Sequence, residues 1–264
     1  MRRWLRALRG RRRRPRDADA AVRQALLRVL EDELDAAEEL LSRVARADSD
    51  RVDAYLALAR LYRRRGEIGR AIRVHQNLLL RRELPEAVRD EALRGLAGDF
   101  QRGGFLQRAI AAWEEVLERR PDDGGALAAL ARLEADARDH ERAIELERRL
   151  ARLEGRDPRG REAELRVRQA ETALAEGRGD DARKALRKAL RRDPQNARAW
   201  LQLGELEAQR GRSRRALAAW QRVPALDRRA AVEVYPRLEA AWAALGRAPE
   251  YEAFLTRLVE ERPG

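Results

Sequence analysis

Two histidines, His75 and His140, stand in the 264-residue chain with three serines (Ser42, Ser49, Ser213) and two threonines (Thr172, Thr256). Cysteine is absent. A hydroxyl nucleophile needs an adjacent base and, in the commonest hydrolases, a sharp strand-to-helix turn that exposes it. None of the five hydroxyls stands in such a setting. There is no Gly-rich phosphate loop, and Gly103-Gly104 and Gly124-Gly125 read as turn glycines. His140, Glu141 and Glu145 could share one helix end, but zinc needs three or four convergent ligands. An exposed helix start is the expected reading of His140. Without cysteine there are no disulfides, Fe–S clusters or Cys-ligated zinc, which fits a reducing compartment. Neither catalysis nor a cofactor or metal is expected.

Arginine is the side chain in excess. The net charge is +12, and residues 1–16 hold nine arginines and no acid, which leaves 49 basic and 46 acidic side chains in the other 248 residues. Arginine outnumbers lysine 56 to 2, a bias that a GC-rich genome would also produce. No apolar run reaches the ~20 residues that span a bilayer, and no apolar core follows the opening arginines as a cleaved signal would require.

The elements that must carry these side chains are helical. Charged residues make up 39% and aromatics 5%, a composition that favours helix. A small residue recurs at Ala37, Ala71, Ala109, Ala143, Ala182 and Ala216, with Tyr251 next, at separations of 34, 38, 34, 39, 34 and 35. Other slots repeat with it. The first helix takes Tyr55, Leu93, Leu127, Trp200 and Tyr235. The turn takes Gly66, Gly104, Gly177, Gly211 and Gly246. The second helix takes His75, Trp113 and Trp220, and Pro121, Pro194 and Pro263 close their units. A period of 34 is that of the tetratricopeptide helix-turn-helix. The expectation is an all-α, right-handed α-solenoid of about seven such repeats, starting near 18, 52, 90, 124, 163, 197 and 232. It occupies 17–264 behind a basic, disordered tail at 1–16. Trp113, Trp200, Trp220 and Trp242 read as packing residues. His75 reads as a hydrogen-bonded core residue, with Gln76 one step round.

Such arrays bind partners on the face lined by their first helices. The register puts Arg60, Arg63, Arg64, Arg94, Arg102 and Arg132 on that face, and Glu164, Glu171, Glu205 and Glu233 later along it. The six arginines are the expected groove for an acidic partner segment, through bidentate carboxylate pairing. In the tail, Arg2, Arg3, Trp4, Leu5, Arg11, Arg12, Arg13 and Arg14 suit an anionic membrane surface, with Trp4 and Leu5 inserting among arginines. Non-specific nucleic-acid contact is the less favoured alternative. The last helix carries Phe254, Leu255, Leu258 and Val259 with no capping helix after it, so it is expected to dock or self-associate.

The run RGEIGRAIRVHQNLL, the longer linker after it and LRGLAGDFQRGGFLQRA resemble the lipopolysaccharide assembly protein B family, as does VPALDRR with YPRLEAAWAALGRAPEYEAFLTRLVEE. The resemblance covers most of 18–262. It implies a non-catalytic adaptor on the cytoplasmic side of the inner membrane of a Gram-negative bacterium. In that family the adaptor links the FtsH protease to the deacetylase that commits carbon to lipid A. The family also has an N-terminal membrane-spanning helix and a four-cysteine, rubredoxin-like metal knuckle, and this sequence matches neither.

Overall fold

The computed structural model describes residues 15–261. All the regular elements among them are helices, fourteen of which fall into seven pairs, with one four-residue helix at Val223–Leu226 standing between the sixth pair and the seventh. The basic tail at 1–14 and the closing Pro263 lie outside the described residues. The chain forms two compact units, divided between Ala126 and Leu127. The first holds α1 (Pro15–Leu30), α2 (Leu34–Ala47), α3 (Val52–Arg64), α4 (Ile68–Leu79), α5 (Glu86–Arg102) and α6 (Leu106–Arg119). The division cuts the first turn of α7 (Gly124–Asp136). The second unit continues through α8 (His140–Glu154), α9 (Arg159–Ala175), α10 (Gly179–Arg192), α11 (Ala197–Gln209), α12 (Ser213–Trp220), the short α13 (Val223–Leu226), α14 (Arg228–Ala244) and α15 (Ala248–Glu261). The pairs begin at residues 15, 52, 86, 124, 159, 197 and 228, and the fold class is the all-α repeat class of the α-solenoids.

Each turn between paired helices contains one residue in the left-handed region. Gly66, Gly104, Gly177, Gly211 and Gly246 fill five of these positions, with φ between 67° and 77°. Glycine holds that conformation without a Cβ clash. The other two turns use Asp32 (φ 62°) and Arg138 (φ 68°), where the sequence has no glycine. Gly124 and Gly125, expected in a turn, instead open α7, where the Asp123 side chain accepts from the Ala126 N–H at 2.9 Å. Asp139, Asn196 and Asp227 cap α8, α11 and α14 in the same way.

The recurring alanines are where helices touch. Ala37, Ala71, Ala109, Ala143, Ala182 and Ala216 are all fully buried, so backbones approach to a distance that a larger side chain would prevent. The large slots fill the remaining space: Tyr62, Phe100, Trp220 and Trp242 are buried, and Trp242 packs on Tyr251 and Phe254 with ring centroids 5.5 and 5.2 Å away. Trp113 and Trp200 are half-buried. The Trp113 indole N–H donates to Gln101 and that of Trp200 to the Pro194 carbonyl.

Candidate functional site

His75 is 2% exposed, as the register expects of a core residue. Its Nδ1–H donates to Asp99 Oδ2 at 2.6 Å, and Asp99 is fully buried on α5. Arg63 Nε donates to the other carboxylate oxygen, and Arg63 Nη2 donates to the Gly95 carbonyl at 2.9 Å. The His75 ring lies against Gly95, where a Cβ would stand 2.3 Å from Nε2. Trp220, in the same repeat slot, lies against Gly204 of its own pair, whereas His75 leans onto the first helix of the following pair. Asp99 thus ties α3, α4 and α5 together. A buried carboxylate requires this full set of donors, because an uncompensated one would cost several kcal/mol.

This network changes the reading of the arginines. Arg63, expected to face a partner, is turned onto Asp99, with its side chain three-quarters covered. Arg60 pairs with Glu91 of α5. Arg64 donates to the Val29 carbonyl at 2.7 Å and to Asp32 at 3.0 Å, bracing the left-handed turn of the first pair. Arg94 pairs with Asp123 at 2.8 Å. In the second unit Arg168–Asp136, Arg198–Glu171 and Arg237–Glu205 form the same kind of rung between successive first helices. Most of the expected groove charge is therefore balanced one repeat away. Arg102 and Arg132 are both exposed and make no ion pair or hydrogen bond among the described residues.

Arg132 lies at a cleft of about 300 Å³ in the second unit. Ala128, Ala131 and Leu165 form its apolar wall, and Arg156 and Arg161 also line it. Glu147 is the one carboxylate in the lining, and Arg156 already bonds it. Arg161 is held by Glu164 at 2.6 Å. Small side chains beside an unpaired guanidinium leave room for an incoming carboxylate. Farther along this unit Tyr235, Tyr251, Leu255, Leu258 and Val259 line a cleft of about 740 Å³ on the last pair, and Val259 is largely exposed.

His140 differs from its expected place. It does start a helix, but it is buried, 5% exposed, because α9 covers it. Thr172 of α9 donates its hydroxyl hydrogen to the Arg168 carbonyl at 3.1 Å and so accepts from His140 Nε2–H at 3.0 Å. Nδ1 then carries the lone pair, buried without a partner. Burial, with Arg168 and Arg138 nearby, holds the imidazole below its ordinary pKa. Among the described residues no three His, Asp or Glu side chains converge as metal ligands, and no helix is long and apolar enough to cross a membrane.

Tetratricopeptide-repeat family models match residues 94–159 and 173–233. A tetratricopeptide repeat protein from Parabacteroides merdae has the same architecture, with a TM-score of 0.51 over 93% of each chain at 14% identity. The chain carries tetratricopeptide repeats over the two stretches that the family models match. It is similar to lipopolysaccharide assembly protein B of Escherichia coli strain K12, with 30% identity over 239 residues, 89% of this chain and 61% of that one. The protein of the same name from Haemophilus influenzae is 26% identical over 78% of this chain and 52% of its own length. The chain thus spans between half and two thirds of these curated relatives.

Proposed function

We propose that the chain is a protein-interaction adaptor in the control of lipopolysaccharide assembly, acting at the cytoplasmic face of the inner membrane. Its partners on this reading are the FtsH protease and the lipid A deacetylase. An acidic segment of a partner enters the cleft beside Arg132. The observation that carries the reading is an exposed guanidinium without an ion pair above the Ala128 and Ala131 wall, in a chain 30% identical to lipopolysaccharide assembly protein B over 89% of its length. Bidentate Arg–carboxylate pairing is strong and geometrically selective. The basic segment at 1–16 adds contact with anionic lipid through Trp4, Leu5 and their neighbouring arginines.

Crosslinking and pull-down from the native bacterium, read by mass spectrometry, tests the adaptor role. Wild type is expected to bring down the protease or the deacetylase, and the Arg132→Glu/Arg161→Glu variant to lose at least tenfold of that yield. Equal recovery by the two proteins overturns the cleft as the docking site, and recovery of neither partner overturns the adaptor role. Liposome flotation with and without residues 1–16 tests the lipid contact, and no loss on deletion refutes it.

A further inference from the structure

The two lysines of the chain, set against 56 arginines, line one cleft. Lys184 and Lys188 stand one turn apart on α10, beside a cleft of about 250 Å³ that α8 and α9 complete. Arg138 and Arg178 also line it, His140 forms part of its wall, and Asp181 is the one carboxylate in the lining. Arg178 is engaged by Glu176 and Asp181, Arg138 stands 3.4 Å from the same Glu176, and Lys184 is 3.4 Å from Asp181. Lys188 is exposed and has no ion pair among the described residues. It also borders a second cleft, of about 310 Å³, with Arg166, Arg191 and Arg192.

The charge here is not a by-product of an arginine-rich chain. Counted from the buried alanine of each second helix, the same four outward positions hold Lys184, Arg187, Lys188 and Arg191 in α10 and Ala111, Glu114, Glu115 and Glu118 in α6. In α4 and its C-cap they hold Arg73, Gln76, Asn77 and Leu80, and in α8 Glu145, Arg148, Arg149 and Arg152. Four cations occupy them in α10 alone. Arg138 adds an independent sign. It occupies the left-handed turn position that glycine fills in five other pairs, a conformation L-residues seldom adopt and one that clusters at functional sites.

We infer that this cleft binds the phosphate group of an anionic ligand, with Lys184 and Lys188 as its direct partners and Arg138 and Arg178 closing its edge. Lysine suits the task, because its ammonium is a compact charge with three rotatable donors. The cleft is smaller than the ~300–1,000 Å³ that drug-sized ligands fill, so it takes the phosphate group rather than a whole nucleotide. The inference stands apart from the Arg132 cleft.

The two histidines make the test direct. In NMR on the full chain, inorganic phosphate and then pyrophosphate are titrated at ionic strength fixed with chloride. The His140 ring signals are expected to move saturably while those of His75 stay still. Lys184→Gln/Lys188→Gln should weaken binding at least tenfold and leave the melting temperature without phosphate unchanged. The same shift with chloride alone, or undiminished phosphate binding by the variant, overturns the site. A second arm sediments the protein with phosphatidylcholine vesicles containing phosphatidic acid. Vesicle binding lost in the variant identifies a lipid headgroup as the source, and saturation by soluble phosphate without vesicle binding identifies a free one. Binding of neither, or vesicle binding that the variant retains, overturns the proposal.

Discussion

The two units each bury one histidine, and the surroundings could hardly differ more. In the first, His75 meets a carboxylate that also takes an arginine, so three helices are fastened by opposite charges. In the second, His140 meets a neutral hydroxyl, keeps one nitrogen unpartnered and faces arginines and lysines. The first arrangement is internally complete, and its charges need nothing from outside. The second is closed on the inside and unbalanced on the outside, where Lys188 has no ion pair among the described residues. A buried histidine therefore carries no fixed meaning. Its neighbours decide whether it acts as a fastener or as the wall of a site.

Removing the charge at the first centre should have the largest effect. Asp99→Ala leaves His75 and Arg63 without their shared acceptor, and a loss of about 3–5 kcal/mol is expected from urea denaturation. A loss below 1 kcal/mol would mean that the network does not hold α3, α4 and α5 together. Gly95→Ala comes next. The new Cβ would stand 2.3 Å from His75 Nε2, and overpacking of this kind costs about 1–3 kcal/mol. In a His75→Ala background the same change should cost much less, a coupling that a double-mutant cycle reads.

At the second centre the expected effects are smaller and one has the opposite sign. Arg138→Gly should raise stability by about 0.5–1 kcal/mol, since an L-residue in the left-handed region costs about 1–2 kcal/mol and glycine returns part of this as entropy. The same substitution should weaken phosphate binding, so a more stable protein would be a poorer binder. Acid gives the smallest effect. Because the folded chain holds His140 below its ordinary value of 6.5, the unfolded chain binds the proton first as pH falls. Stability should therefore decline as pH drops below about 6.5 and level off once the folded imidazole is protonated too. His140→Gln should flatten that part of the curve in thermal melts at pH 5–7, and an unchanged slope would refute the assignment.

Much of this was legible in the sequence. Period and slots indicated about seven pairs, with the buried alanines and five of the left-handed turns, because glycine and a lone small residue have few other uses at those spacings, although four pairs start three or four residues earlier than the spacing suggests. Asp32 and Arg138 escaped notice, since an L-residue in that conformation leaves no compositional mark. Asp99 was missed, although an acid between Ala97 and Phe100, on the face shared with Leu93 and Leu96, was a signal that something must meet it. Four of the six arginines expected on the binding face are engaged within the chain. Register indicates which helix face a side chain occupies, but not that Arg60 and Arg94 find carboxylates 31 and 29 residues farther along. The burial of His140 is not legible in its own helix, because its cover comes from α9, the first helix of the following pair.

The rungs between neighbouring repeats also bear on how the chain is made. Arg60 to Glu91, Arg63 to Asp99, Arg64 to Asp32, Arg168 to Asp136 and Gln202 to Glu171 all span 31–36 residues. No loop longer than about one repeat has to close before these contacts form. Such closure adds little entropic cost, and low contact order goes with fast folding. On the ribosome, each pair can dock as soon as the next thirty or so residues emerge. The apolar face of a growing end stays uncovered only for the time needed to translate one more repeat.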